Sequence, residues 1–237
     1  MQQARVKNNF THDNHLAADP VIDITIYTDP LCCWSWAFEP QLEEVKTALA
    51  SSARWTYRMG GLIPTWKNFH DDVNNVSRPV QMGPVWMHAG QIANMPIYHQ
   101  IWMKDPPASS YPACIAVKSV QLQSAEAGIT YLQLLRNACM RMGENIAKES
   151  VLFEVAAGLS STYDIFDMEK FRADYAGETA RNAFREDLDL VRKYNINRFP
   201  TLIVKAGEKA IMISGYRLQE EVLAAIRQIT PKENTGQ

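Results

Sequence analysis

Two kinds of apolar spacing alternate along this chain. In Val21-Ile22-Asp23-Ile24-Thr25-Ile26-Tyr27 the isoleucines fall on every second position, and the β-branched content favours a pleated backbone, so the run predicts a strand. Asp29-Pro30 closes it. From Trp34 the period changes: Trp34, Phe38, Leu42, Val45 and Leu49 recur at helical spacing and line one face of a helix. Cys32 then lies at or just before that helix's N-terminus. Pro40 falls inside the pattern and should kink the helix, since its ring removes one hydrogen bond and crowds the turn before it. Ala53 to Met59 reads as a second strand, closed by Gly60-Gly61. A strand-helix-strand unit with so short a crossover is expected to be parallel and right-handed.

Between Thr65 and Tyr111 the periodicity fades while Trp66, Trp86, Trp102 and Met82, Met87, Met95 and Met103 gather among prolines, which fits short helices and loops. Helical spacing returns at Pro112, a residue suited to a helix's first position, and runs to Ala127. Gly128 reads as a helix end, with a further helix from Ile129 to Met142. Helices are also expected over Ser150 to Ser160, Asp167 to Tyr175 and Glu178 to Tyr194, the last with Ala180, Phe184, Leu188 and Val191 on one face. Thr201 to Lys205 and Ala210 to Ser214, joined by Ala206-Gly207-Glu208-Lys209, form a hairpin. A final helix follows with Leu218, Val222, Ala225, Ile226 and Ile229 as its apolar face. Residues 1–20 and those from Pro231 are polar and read as loose tails.

The 237 residues can bury a sizeable core, and 46% hydrophobic with 21% charged residues is ordinary for a globular chain. A net charge of -2 removes any global electrostatic case for nucleic acid or an anionic membrane. Neither a secretory leader nor a run of apolar residues long enough for a membrane span is found, so a cytoplasmic protein is expected. The four cysteines, at 32, 33, 114 and 139, are then expected as free thiols. The five histidines (12, 15, 70, 88 and 99) make no zinc spacing with any cysteine, and no metal is expected.

The motifs that carry chemistry stand at the two ends of the helix-rich middle. Asp29-Pro30-Leu31-Cys32-Cys33-Trp34-Ser35-Trp36 lies near the start, and Arg198-Phe199-Pro200-Thr201 near the end. Together with Gly60-Gly61-Leu62 and Ser110-Tyr111-Pro112-Ala113 they resemble the DsbA-like thioredoxin-fold family, and within it the cytoplasmic FrnE-like and SpxH-like members. Those typically carry Asp-Pro-x-Cys-Pro-Trp-Cys-Trp; here Cys33 occupies the proline position and Ser35 the second cysteine. The resemblance implies an α/β protein with a thioredoxin-like fold and a large α-helical insertion. The thioredoxin-like part would be 21–64 and 195–230, the insertion 65–194, and 1–20 a flexible tail. It further implies that Pro200 is cis and faces Cys32, and that Phe199 and Thr201, with Cys33 and Trp34, border the substrate.

A thiolate is the reactive form of cysteine, and a helix N-terminus favours it through unpaired amides and the helix dipole. Cys32 is placed for this, and Ser35, one turn on, could donate its hydroxyl to the thiolate. Ser35 cannot attack a mixed disulfide at Cys32, which closes the usual dithiol route. Cys33 is a poor substitute: adjacent α-carbons stand about 3.8 Å apart, below the ordinary disulfide range. Monothiol exchange remains, with glutathione or another small thiol as co-substrate and no tightly bound cofactor.

Three functional readings follow. The first is a thiol-disulfide oxidoreductase or isomerase acting on a protein or small-molecule disulfide, with Cys32 as nucleophile, Ser35 as thiolate stabiliser and Pro200 as a wall. The missing second cysteine motivates another, a non-catalytic SpxH-like protease adaptor with a protein partner. The third is a glutathione-dependent transferase or isomerase of the kappa type, although those relatives typically have serine where this chain has Cys32. Plain packing competes with each: a cysteine pair beside tryptophans can simply fill a core, and Cys114 and Cys139 read as core residues. The tryptophan-rich and methionine-rich stretch can be core filling as readily as an apolar binding surface.

Overall fold

The computed structural model describes residues 22–160 and 166–230. Both polar tails, Val21, His12 and His15 lie outside the described residues. The sheet has four strands in the order β2-β1-β3-β4: β1 (Ile22–Thr28), β2 (Ala53–Met59), β3 (Thr201–Ala206) and β4 (Lys209–Ser214). β1 pairs parallel with β2 through the crossover helix α1 (Cys33–Leu49) and antiparallel with β3, which continues into the β3–β4 hairpin. The hairpin loop is tighter than the sequence reading, since the strands reach Ala206 and Lys209 and leave only Gly207-Glu208 between them. Gly207 sits at φ 60°, a left-handed conformation that costs glycine nothing.

Alternation divides the sheet between two cores. Ile22, Ile24, Ile26, Leu202 and Val204 belong to the main cluster, with Phe38, Leu42 and Val45 of α1 and Val222, Ile226 and Ile229 of α9 (Gln219–Ile229). Tyr27 and Ile203 face the other way and pack with Ile196, Leu190, Val191, Tyr194 and Phe199. Leu218 is not part of the apolar face of α9: it is the helix's N-cap and 43% exposed. Helix α1 continues through Pro40, which sits at an exposed position.

Between β2 and β3 lie α2 (Met82–Ala93), α3 (Ile101–Lys104), α4 (Tyr111–Gln121), α5 (Ala125–Asn137), α6 (Glu149–Ser160), α7 (Met168–Ala176) and α8 (Glu178–Lys193). The break between α4 and α5 corrects the sequence reading, which placed it at Gly128. It falls at Leu122–Ser124, where the Ser124 side chain caps α5 by accepting from the Ala127 amide. Gly128 is needed for another reason: a Cβ there would stand 2.3 Å from Gln121 Cγ. α5 runs on into a π-helical turn, Ala138–Met142.

Trp86 and Trp102 are fully buried and meet edge to face at 5.1 Å, and Trp66 joins Trp102 at 5.8 Å. Those tryptophans fill core, while Met87 and Met103 are exposed. Among the described residues no helix is long and apolar enough to cross a membrane, and no group of three or more His, Cys, Asp or Glu could hold a metal ion.

Candidate functional site

Cys32 is the N-cap of α1. Its backbone is extended (φ -81°, ψ 106°), its own amide donates to the Asp29 carbonyl at 3.1 Å, and its Sγ accepts from the Ser35 amide at 3.3 Å. A sulfur thus replaces the side-chain oxygen that normally satisfies a first-turn amide. On its far side the thiol donates to the Phe199 carbonyl at 3.3 Å. The next peptide bond, Phe199-Pro200, is cis. Residues 167 positions apart in sequence therefore meet at the sulfur.

The Ser35 hydroxyl is buried without a hydrogen-bond partner of good geometry, yet lies close enough to favour an ionised Cys32. The main contact from Ser35 is its amide, which any residue at that position would supply.

Cys32 is only 5% exposed, and this reverses the expected direction of its acidity. Burial pushes the thiol above the ordinary cysteine value; the hydroxyl and amide of Ser35 pull it down, Asp29 pushes it up, and Arg136 pulls it down. The helix N-terminus does not outweigh desolvation in this closed arrangement.

The other expected site residues divide by exposure. Cys33 is buried and free, its thiol pushed well up by burial and then by Cys32. Pro200 is buried. Thr201 is fully buried, with its hydroxyl donating to the Arg198 carbonyl at 2.7 Å, so its side chain does not border an external surface. Trp34 and Phe199 are half-buried. Trp34 meets His88 edge to face at 5.6 Å and Tyr216 at 6.2 Å, which adds two aromatic neighbours that the sequence reading missed. Gly60 explains the seat of Phe199: a Cβ on Gly60 would lie 2.1 Å from the ring, so the ring rests on bare backbone.

Beneath the site lies Asp29, 0% exposed. Its Oδ1 accepts from the Leu31 amide at 2.8 Å; its Oδ2 accepts from the Leu62 amide at 2.7 Å, the Ser110 hydroxyl at 2.9 Å and the Cys114 thiol at 3.4 Å. One carboxylate thus ties the β1–α1 turn to the strand end after β2 and to the start of α4. Burial nevertheless raises its pKa. The Asp-Pro and Ser-Tyr-Pro-Ala motifs, remote in sequence, are two sides of this cluster. Cys114 is a core residue, as read, but one that touches the site; Cys139 is remote from it, and burial pushes its thiol up to about 12.

Arg136 of α5 was missed altogether. It is 3% exposed, and its guanidinium donates to Glu39 Oε1 at 2.6 Å, to the Thr28 hydroxyl, and to the Asp29 carbonyl at 3.2 Å. Nothing in the sequence around an arginine on a helix announces such a position.

The family model described as Thioredoxin matches residues 26–223. Among curated relatives, the ClpXP adapter protein SpxH of Halalkalibacterium halodurans is 26% identical over 82% of this chain, and the chain spans 63% of that relative's length. Among solved structures, a candidate protein disulfide isomerase of Nitrosomonas europaea has a TM-score of 0.72 at 20% identity, covering 87% of this chain and 98% of its own. The cytosolic disulfide reductase DsbM of Pseudomonas aeruginosa has a TM-score of 0.63 at 19% identity, covering 87% and 94%. The chain belongs to the thioredoxin family, and its fold is that of the DsbA-like members.

Proposed function

We propose that the protein is a thiol-disulfide oxidoreductase that works by monothiol exchange at Cys32. The observation that carries this reading is the placement of the sulfur: at the N-cap of α1, between the Ser35 amide and the Phe199 carbonyl. A docking substrate chain would take over the Phe199 carbonyl, releasing the thiol from it.

The ionised Cys32 then attacks one sulfur of a disulfide R–S–S–R′. A new S–S bond forms to Cys32, the old one breaks, and R′–S⁻ leaves and takes a proton from water. A small thiol such as glutathione, once deprotonated, attacks the mixed disulfide, regenerates the Cys32 thiolate and departs joined to R. Ser35 cannot perform this second step, which is why an external thiol is required. In this reading the thioredoxin-like unit (21–64 and 195–230) carries the exchange, while the helical insertion (65–194) braces it through Ser110, Cys114 and Arg136.

The test is reduction of a glutathionylated peptide by glutathione, followed through NADPH oxidation by glutathione reductase. Wild-type protein is expected to accelerate it and Cys32→Ser to abolish the acceleration. Equal rates for both, or no acceleration by either, would overturn the reading.

A second reading is favoured by the curated relative named as a ClpXP adapter: a scaffold that presents a protein to a protease, with the buried Cys32 serving as a helix cap. It expects measurable binding to ClpXP, with Cys32→Ser binding as well as wild type. Absence of binding would count against it.

A further inference from the structure

The Asp29 carbonyl is shared. It receives the Cys32 amide at 3.1 Å from one side and the Arg136 guanidinium at 3.2 Å from the other, so a buried cation stands two hydrogen bonds from the candidate nucleophile. Arg136 is also fastened to the Thr28 hydroxyl at the end of β1, and to Glu39 in α1. It is thereby held from both sides of the turn that presents Cys32. Its Nε is buried without a partner, and the other two nitrogens make all the guanidinium's hydrogen bonds, to Glu39, Thr28 and the Asp29 carbonyl.

We infer that Arg136 is a positioning residue for Cys32: by gripping the Asp29 carbonyl it fixes the turn before α1 and brings to the helix N-terminus a fixed positive charge that favours the attacking thiolate. The inference rests on the exchange reading for its biological purpose, though the charge effect itself can be read without any substrate.

The charged and titratable groups around the sulfur come from each neighbouring segment. Asp29 in the turn opposes ionisation, and Arg136 from α5 favours it. Glu39, two turns along α1, neutralises Arg136 in part. Cys33 beside it and Cys114 from α4 are thiols pushed well up by burial, so they add no charge at neutral pH. The chain near Pro200 contributes only the neutral Phe199 carbonyl to the sulfur.

Two substitutions should move the Cys32 thiolate in opposite directions. Arg136→Met removes the cation and should slow iodoacetamide labelling of Cys32 at pH 8 several-fold, with its titration displaced upward. Glu39→Gln keeps the hydrogen-bond acceptor while freeing the full charge of Arg136, and should speed labelling several-fold. Labelling is read on the Cys32 peptide by mass spectrometry across a pH series, because Cys33 adjoins it. A merely structural arginine would leave the Glu39→Gln profile at wild type, and that result overturns the inference. If Arg136→Met does not fold, the Glu39→Gln arm decides alone. Failure of the exchange assay with both labelling shifts present would remove the catalytic purpose and leave the charge effect standing.

Discussion

The thiol of Cys32 donates to the carbonyl oxygen of Phe199 at 3.3 Å, joining the start of α1 to the turn that opens β3. The contact uses a neutral thiol, and burial favours that neutral form. In the substrate-free protein, labelling of Cys32 by iodoacetamide at pH 7 should therefore be slower than labelling of an exposed cysteine peptide. The rate should climb as pH rises through and beyond the ordinary thiol range. A plateau below about pH 7 would contradict the closed arrangement.

Gly60→Ala should disturb the same contact from the opposite side. The added Cβ lies 2.1 Å, 2.4 Å and 2.6 Å from three carbons of the Phe199 ring, so the ring and its backbone must move. A loss of about 1–3 kcal/mol in denaturant unfolding is expected, with a changed labelling rate at Cys32. Substitution at the exposed Gly207 loop would test strain without this clash.

Asp29→Asn replaces an acceptor of four hydrogen bonds with a group that must turn donors toward donors. The amide nitrogen would confront either Leu31 N–H or the Leu62 and Ser110 donors. Destabilisation of about 1–3 kcal/mol is expected from the unmatched buried group. Thermal unfolding checks this, and a variant as stable as wild type would show that the cluster can rearrange.

A second buried carboxylate bears load elsewhere. Asp187 of α8, 0% exposed, accepts from Lys118 Nζ at 2.8 Å, Arg58 Nη1 at 2.8 Å and the Met59 amide at 2.9 Å. Asp187→Ala strands the buried Lys118 charge, and a loss of about 3–5 kcal/mol is expected. Lys118→Met in the same background should recover part of it.

Alkaline conditions should weaken the fold. Burial pushes the Cys139 thiol up to about 12 in the folded chain, from an ordinary 9.0. The unfolded chain gives up this proton first, so Cys139 leaves stability unchanged below pH 9 and erodes it between 9 and 12, by at most about 1.4 kcal/mol per pH unit. Cys139→Ala should flatten that slope in urea melts taken at successive pH values.

Much of this architecture was legible in the residues. Ile22, Ile24 and Ile26 alternate because one face of β1 is buried in the main core, and the spacing from Trp34 to Leu49 is the buried face of α1. The Gly128 reading failed because glycine carries two signals: it ends helices, and it also permits close approach of another segment, here Gln121. Ser124, the actual cap, was the more informative residue. The position of Cys32 as an N-cap was readable, but its acidity was not. Local sequence supplies the helix terminus and Asp29, while the burial of the sulfur and the Arg136 charge depend on segments such as the Phe199 turn and α5 arriving from elsewhere. Arg136 and Asp187 stayed hidden for the same reason, since a charged residue on a helix is nearly always solvated.

The cap itself makes the first turn of α1 a reporter. The Ser35 amide is held by the sulfur that would exchange bonds with substrate, so any covalent change at Cys32 alters the acceptor that this amide sees. Its proton resonance and its exchange with solvent should register whether Cys32 is free, labelled or joined to a thiol, giving a backbone signal for a side-chain event.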